Sequence, residues 1–142
     1  MPFPITLFTP EEATALAQEL KPELHRLAKL KGELDATEVR MDVLGLTVTA
    51  GGSAHGPEAH ELRALRVGRA RLASQIARGV DEIHRRGCLL KDLERGLLDF
   101  YALSGDRLVF LCWKKDEPEV AHWHTLEAGF AGRRPLNTSE LE

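Results

Sequence analysis

A chain of 142 residues with 43% apolar and 29% charged side chains has the make-up of one globular domain, which excludes a disordered chain or a fibre. Nothing in it approaches the ~20 consecutive apolar residues of a membrane span, and Met1-Pro2-Phe3-Pro4 lacks the charged and apolar regions of a secretory signal. A net charge of -3 argues against a dedicated nucleic-acid binder, and two distant cysteines, Cys88 and Cys112, build neither a zinc knuckle nor a disulfide framework, so a reducing cytoplasm is the expected setting.

Thr9-Pro10-Glu11-Glu12 reads as a helix start, with Thr9 as N-cap, Pro10 at the first position and Glu12 closing a capping box. Leu16, Leu20, Leu24, Leu27, Leu30 and Leu34 fall within an arc of about 120°, an amphipathic stripe. This predicts a first helix over residues 9–45, with a kink or break near Pro22, where a backbone donor is lost. Its end is expected between Arg40 and Gly45, because Leu46-Thr47-Val48-Thr49 disfavours helix.

The segment Ala50 to Gly56 is a polar connector whose glycines match neither phosphate-loop pattern. Pro57 opens a second helix, expected over 57–86 and closed by Gly87. Leu62, Leu65, Leu72, Ile76, Val80 and Ile83 share an arc of about 80°, a seam like that of a coiled coil. The two segments carry opposite charge: residues 9–38 hold seven acidic and four basic side chains, residues 57–86 four acidic and seven basic. An antiparallel helical hairpin is expected. Folding it at Ser53–Ala54 sets Glu38 against Arg69, Leu34 against Ala73, Leu27 against Val80 and Leu24 against Ile83. Glu38 and Arg69 then form a structural pair inside the apolar seam, or else Arg69 lies along it and snorkels to water.

Beyond Gly87 the character changes. Cys88 to Asp92 is a short strand or an extended entry. Leu97 to Leu103 and Leu108 to Trp113 are strand-length apolar runs around Ser104-Gly105-Asp106-Arg107, so 88–113 reads as a β-hairpin region. Residues 114–136 read as an ordered, irregular tail, and Asn137 to Glu142 as a fraying end. The whole is a single α+β domain over 1–142, with the β part folded against the open end of the hairpin.

Cys112-Trp113-Lys114, Glu117-Pro118, Trp123-His124 and Gly129-Phe130-Ala131-Gly132-Arg133, together with Lys91-Asp92-Leu93 and Gly96-Leu97-Leu98-Asp99-Phe100, resemble an uncharacterised prokaryotic family, domain of unknown function 2203. The Thr9-Pro10-Glu11-Glu12-Ala13 helix entry is similar too. Asp116 stands where glycine is expected, and His122 where tyrosine is. The resemblance implies no activity.

Candidate chemistry gathers in the tail. In an extended segment His122 and His124 point to one side, and with Glu117 and Glu127 they offer nitrogen and oxygen donors for a divalent metal such as zinc, iron or manganese. The pair completes no H-E-x-x-H pattern, and the alternative is a structural His124 beside an exposed His122. Asp99, in an apolar strand, needs a cation if buried, and Arg133 or Arg134 is the obvious partner. Asp99, Trp123 and Arg133 are the candidates for holding a ligand. Trp113, Trp123 and Phe130 suggest either a base-stacking surface or, better, aromatics that pack the tail. Cys112 and Cys88 read as inert buried thiols. Two functions stand: an assembly module that self-associates through its hairpin, because two helices cannot hide both their stripes, or a metal- or ligand-binding enzyme with its site in the tail.

Overall fold

The computed structural model describes residues 5–49, 51 and 54–136. Outside them lie Met1 to Pro4, Ala50, Gly52, the expected fold point at Ser53 and the expected fraying end, Asn137 to Glu142. The elements run α1 (Pro10–Thr49), α2 (Pro57–Arg85), β1 (Cys88–Asp92), β2 (Leu97–Ser104), β3 (Arg107–Lys114), β4 (His122–Thr125), a 3-10 turn (Phe130–Gly132) and β5 (Arg134–Pro135). All five strands form one antiparallel sheet in chain order. The class is α+β, and the β part is more than a hairpin, because the segment read as irregular supplies β4 and β5. Those strands are only four and two residues long, too short for a period-2 pattern to show.

The start of α1 is the capping box: the Glu12 N–H donates to Thr9 Oγ1 at 3.1 Å, and the Thr9 N–H donates to Glu12 Oε1 at 2.9 Å. The helix runs without a break through Pro22, and its expected end is corrected: it continues past Gly45 through Leu46 to Thr49. An interior proline costs roughly 3 kcal/mol, but Leu16 and Leu20 before it and Leu24 and Leu27 after it are all buried at roughly 1.5 to 3 kcal/mol each, so packing on both sides outweighs the lost bond. At the far end Leu44 is buried, which outweighs the weak propensity of Leu46 to Thr49, and the Thr47 hydroxyl finds its partner in the Val43 carbonyl.

The chain divides into two compact units. One takes in residues up to His25 and from Val80 onward; the other is Arg26–Gly79. The second unit is the helical hairpin. Arg69 Nη1 stands 3.7 Å from Glu38 Oε2, and Arg40 reaches Glu61 with two bonds of 3.1 Å. A Cβ on Gly79 would overlap a methyl of Leu27, so glycine is what lets the helices approach there. The Glu38 and Arg69 side chains are 48% and 51% exposed, so the pair does not sit inside an apolar seam as expected. Two helices leave the margins of their contact in water, and long side chains there reach solvent.

In the first unit the sheet has one apolar face. Strand alternation puts Leu98, Phe100, Leu111, Val109, Trp113 and Trp123 on it, all buried. The buried side of α1 in the same unit is Ala13, Leu16, Ala17, Leu20 and Leu24. The Val120 N–H donates to Thr14 Oγ1 at 2.9 Å, and Gln18 donates to the Pro118 carbonyl at 2.7 Å, which tie α1 to the chain before β4. Phe8 stacks edge-on with Phe100, and its N–H donates to the Tyr101 carbonyl. The β2–β3 turn is Gly105-Asp106, with Gly105 at φ 64°, the left-handed start that suits a twisted hairpin.

Candidate functional site

The second face of the sheet carries the polar chemistry. The Gly105-Asp106 turn fixes the β2–β3 register, and that register sets Asp99 opposite Cys112. The next pairing sets Phe110 opposite His124. Asp99, Cys112 and His124 are 4%, 1% and 2% exposed. One ligand atom from each lies within 4.8 Å of the other two, the only such group of three His, Cys, Asp or Glu side chains among the described residues. A cavity of about 120 Å³ opens beside them, lined also by Lys91, Phe110, Leu126 and Phe130.

The hydrogen bonds of His124 decide its chemistry. Nδ1 lies 2.7 Å from the Thr125 carbonyl oxygen, which can only accept, so Nδ1 carries a hydrogen. In the neutral ring Nε2 is then an acceptor, and it faces Asp99 Oδ1 at 3.1 Å. Two acceptors at that distance need a positive centre between them. Burial pushes the Asp99 carboxyl above the ordinary carboxylate range, opposed by His124, by Lys91 and by a hydrogen bond from the Cys112 thiol. A proton held on the Nε2–Oδ1 line meets that need. Burial, with Asp99 beside it, also raises the Cys112 thiol to about 12.

A second cluster lies one step along the same face. Glu117 Oε1 accepts the Lys114 N–H at 2.8 Å, the Glu117 carbonyl accepts the Trp113 indole N–H at 3.0 Å, and Glu117 Oε2 pairs with Arg133 Nη2. The same Nη2 contacts His122 Nδ1, which stands 3.6 Å from Glu117 Oε2. Arg133 also lies over the Phe130 ring at 4.6 Å, with Arg95 at 5.1 Å from that ring. Its Nε is buried without a hydrogen-bond partner.

These contacts redistribute the residues singled out from sequence. His122 and Glu117 are engaged with Arg133, His124 is engaged with Asp99, and Glu127 is exposed, so the four proposed metal ligands do not converge. Asp99 takes His124 as partner instead of Arg133 or Arg134. Trp123 is 3% exposed on the opposite face, with Arg134 and Arg107 near its ring, so Asp99, Trp123 and Arg133 do not line one site. Trp113 is fully buried, which removes it from any base-stacking surface. Cys112 is the residue that sequence reasoning set aside. Counting back from the Gly105-Asp106 turn would have placed it opposite Asp99.

No curated protein and no solved structure matches the chain. A family model does, that of the uncharacterized conserved protein family DUF2203, over residues 6–136. With nearly the whole chain inside that match, the protein belongs to the DUF2203 family.

Proposed function

We propose that this protein is an assembly module that pairs with a second copy of itself through the hairpin Arg26–Gly79, in the manner of an antiparallel coiled coil. The observation that carries this is the open apolar stripe of that unit. Among its described apolar residues only Leu27, Leu44, Ala59 and Leu62 are buried. Leu30, Leu34, Met41, Leu65, Leu72 and Ile76 are half-buried, and Val39, Val43, Leu46 and Val67 are 50 to 73% exposed. A trough of about 510 Å³ runs along Met41, Gly45, Leu46, Leu62 and Arg66. Helical layers are stable when another layer covers them, and a second hairpin supplies it.

Charge favours a copy of this chain as the partner. The exposed Glu33, Asp35 and Asp42 of α1 complement the exposed Arg66, Arg71 and Arg78 of α2 when α1 of one copy lies against α2 of the other. The free thiols Cys88 and Cys112 suit a cytoplasmic setting, and no helix among the described residues is long and apolar enough to cross a membrane.

Light scattering at micromolar concentration tests the reading. The parent should run as a dimer or larger, and Leu65→Glu and Leu46→Glu should shift it toward monomer with helix content kept. A parent that is cleanly monomeric, with Leu65→Glu no different in size or solubility, ends it.

A further inference from the structure

We propose that Asp99, Cys112 and His124 form a binding site for one divalent metal ion, zinc by the chemistry of the set, with its remaining coordination facing the cavity beside Lys91. Four observations carry this. The three side chains offer one oxygen, one sulfur and one nitrogen, the donor types zinc takes in proteins. A thiolate in the set disfavours magnesium, calcium and manganese. His124 donates its Nδ1 hydrogen to the Thr125 carbonyl, the outer bond that fixes an imidazole with Nε2 free to ligate. Nε2 and Asp99 Oδ1 stand 3.1 Å apart, close to the roughly 3.3 to 3.7 Å that separates ligand atoms around one tetrahedral zinc.

The fourth observation is the enclosure. All three residues are held by paired strands, so their backbones are fixed with the three ligand atoms within 4.8 Å of one another. The cavity of about 120 Å³ holds more than one water, which leaves a place for a water or a small anion on the metal. Lys91 lines that cavity and would favour an anionic occupant. Three protein ligands with an open position is the pattern of a reactive zinc, in contrast to the closed four-ligand pattern of a structural one. This site lies wholly within the sheet-bearing unit, and the proposal does not depend on self-association of the hairpin.

The competing occupant of the Nε2–Oδ1 line is a proton, and one experiment separates the two. Untagged protein is stripped with a chelator, shown to be folded by circular dichroism, and titrated with Co²⁺ and then Zn²⁺. One equivalent of Co²⁺ should bind, with a thiolate-to-cobalt charge-transfer band in the near ultraviolet and the intense visible bands of a four-coordinate ion, and Zn²⁺ should displace it. Cys112→Ser should lose the charge-transfer band, and Asp99→Asn and His124→Gln should each weaken Zn²⁺ binding at least about tenfold. Excess Zn²⁺ should also raise the melting temperature of the parent but not of Cys112→Ser. A folded parent that takes up no stoichiometric metal and melts at the same temperature with and without Zn²⁺ overturns the proposal. So does binding that Cys112→Ser leaves unchanged.

Discussion

The sheet-bearing unit and the hairpin unit bury their apolar residues to different depths. In the first, Phe100, Leu98, Leu111, Val109 and Trp113 are all at 0% exposure. In the second, valines and a leucine stand at half exposure or more, and its ion pairs lie at the margin of the helix contact. The difference follows from the number of layers. A sheet face and a helical stripe within one unit can close on each other, whereas two helices alone always leave one side of each in water. Function should therefore be sought as chemistry in the first unit and as contact in the second.

The strongest way to break this comparison is truncation in each unit. Trp113→Ala should cost roughly 3 to 5 kcal/mol and lower the melting temperature by ten degrees or so, whereas Val39→Ala, measured at a concentration where the protein is monomeric, should stay within about 0.5 kcal/mol. Equal effects in calorimetry would mean that the hairpin is as tightly packed as the sheet.

A second test uses Cys88, fully buried with its thiol 3.7 Å from the Ile83 carbonyl. Burial raises this thiol to about 12, against smaller opposing effects of backbone hydrogen bonding and Arg86. The folded state therefore keeps the proton after the unfolded chain has released it, and stability falls as pH rises from about 8.5 toward 12. The slope from one such group is at most about 1.4 kcal/mol per pH unit. Cys88→Ala should show a shallower decline in denaturant midpoint over that range than the parent, and identical slopes would show that Cys88 is not shielded.

Two glycines sharpen the account of the helix contact. Gly79→Ala places a methyl into Leu27 and should destabilise by roughly 1 to 3 kcal/mol despite the better helix propensity of alanine. Gly32→Ala meets nothing within 4 Å and should stabilise by up to about 1 kcal/mol. Denaturant melts with the signs reversed would place the close approach elsewhere. The smallest effect belongs to Glu38 and Arg69. Exposed as they are, a double-mutant cycle should give a coupling of roughly 0 to 1 kcal/mol, falling with salt, and a coupling well above that would mean that association buries them.

Much of the scaffold was legible because long periodic segments declare themselves. The leucine arc of α1, the narrower arc of α2 and the Gly105 turn each repeat a signal over several residues. The Leu46–Thr49 end misled, because weak local propensity there is outweighed by burial of Leu44. The site was half legible. The meeting of Asp99 with Cys112 follows from the turn, but that of Asp99 with His124 needs the β3–β4 register, set across the irregular stretch Lys115 to Ala121. The engagement of Arg133 by Glu117 depends on the same stretch.

The borders of the sheet carry a consequence of their own. β1 is five residues long and its pairing slips between Leu90 and Asp92, while β5 is the dipeptide Arg134–Pro135, where proline offers no N–H and arginine carries a charge. An open strand edge is a template on which another chain can polymerise, and short, bulged, charged or proline-bearing edges deny it that template. Growth of this protein by strand addition is thereby discouraged at both ends of its sheet, so copies can concentrate without seeding fibrils.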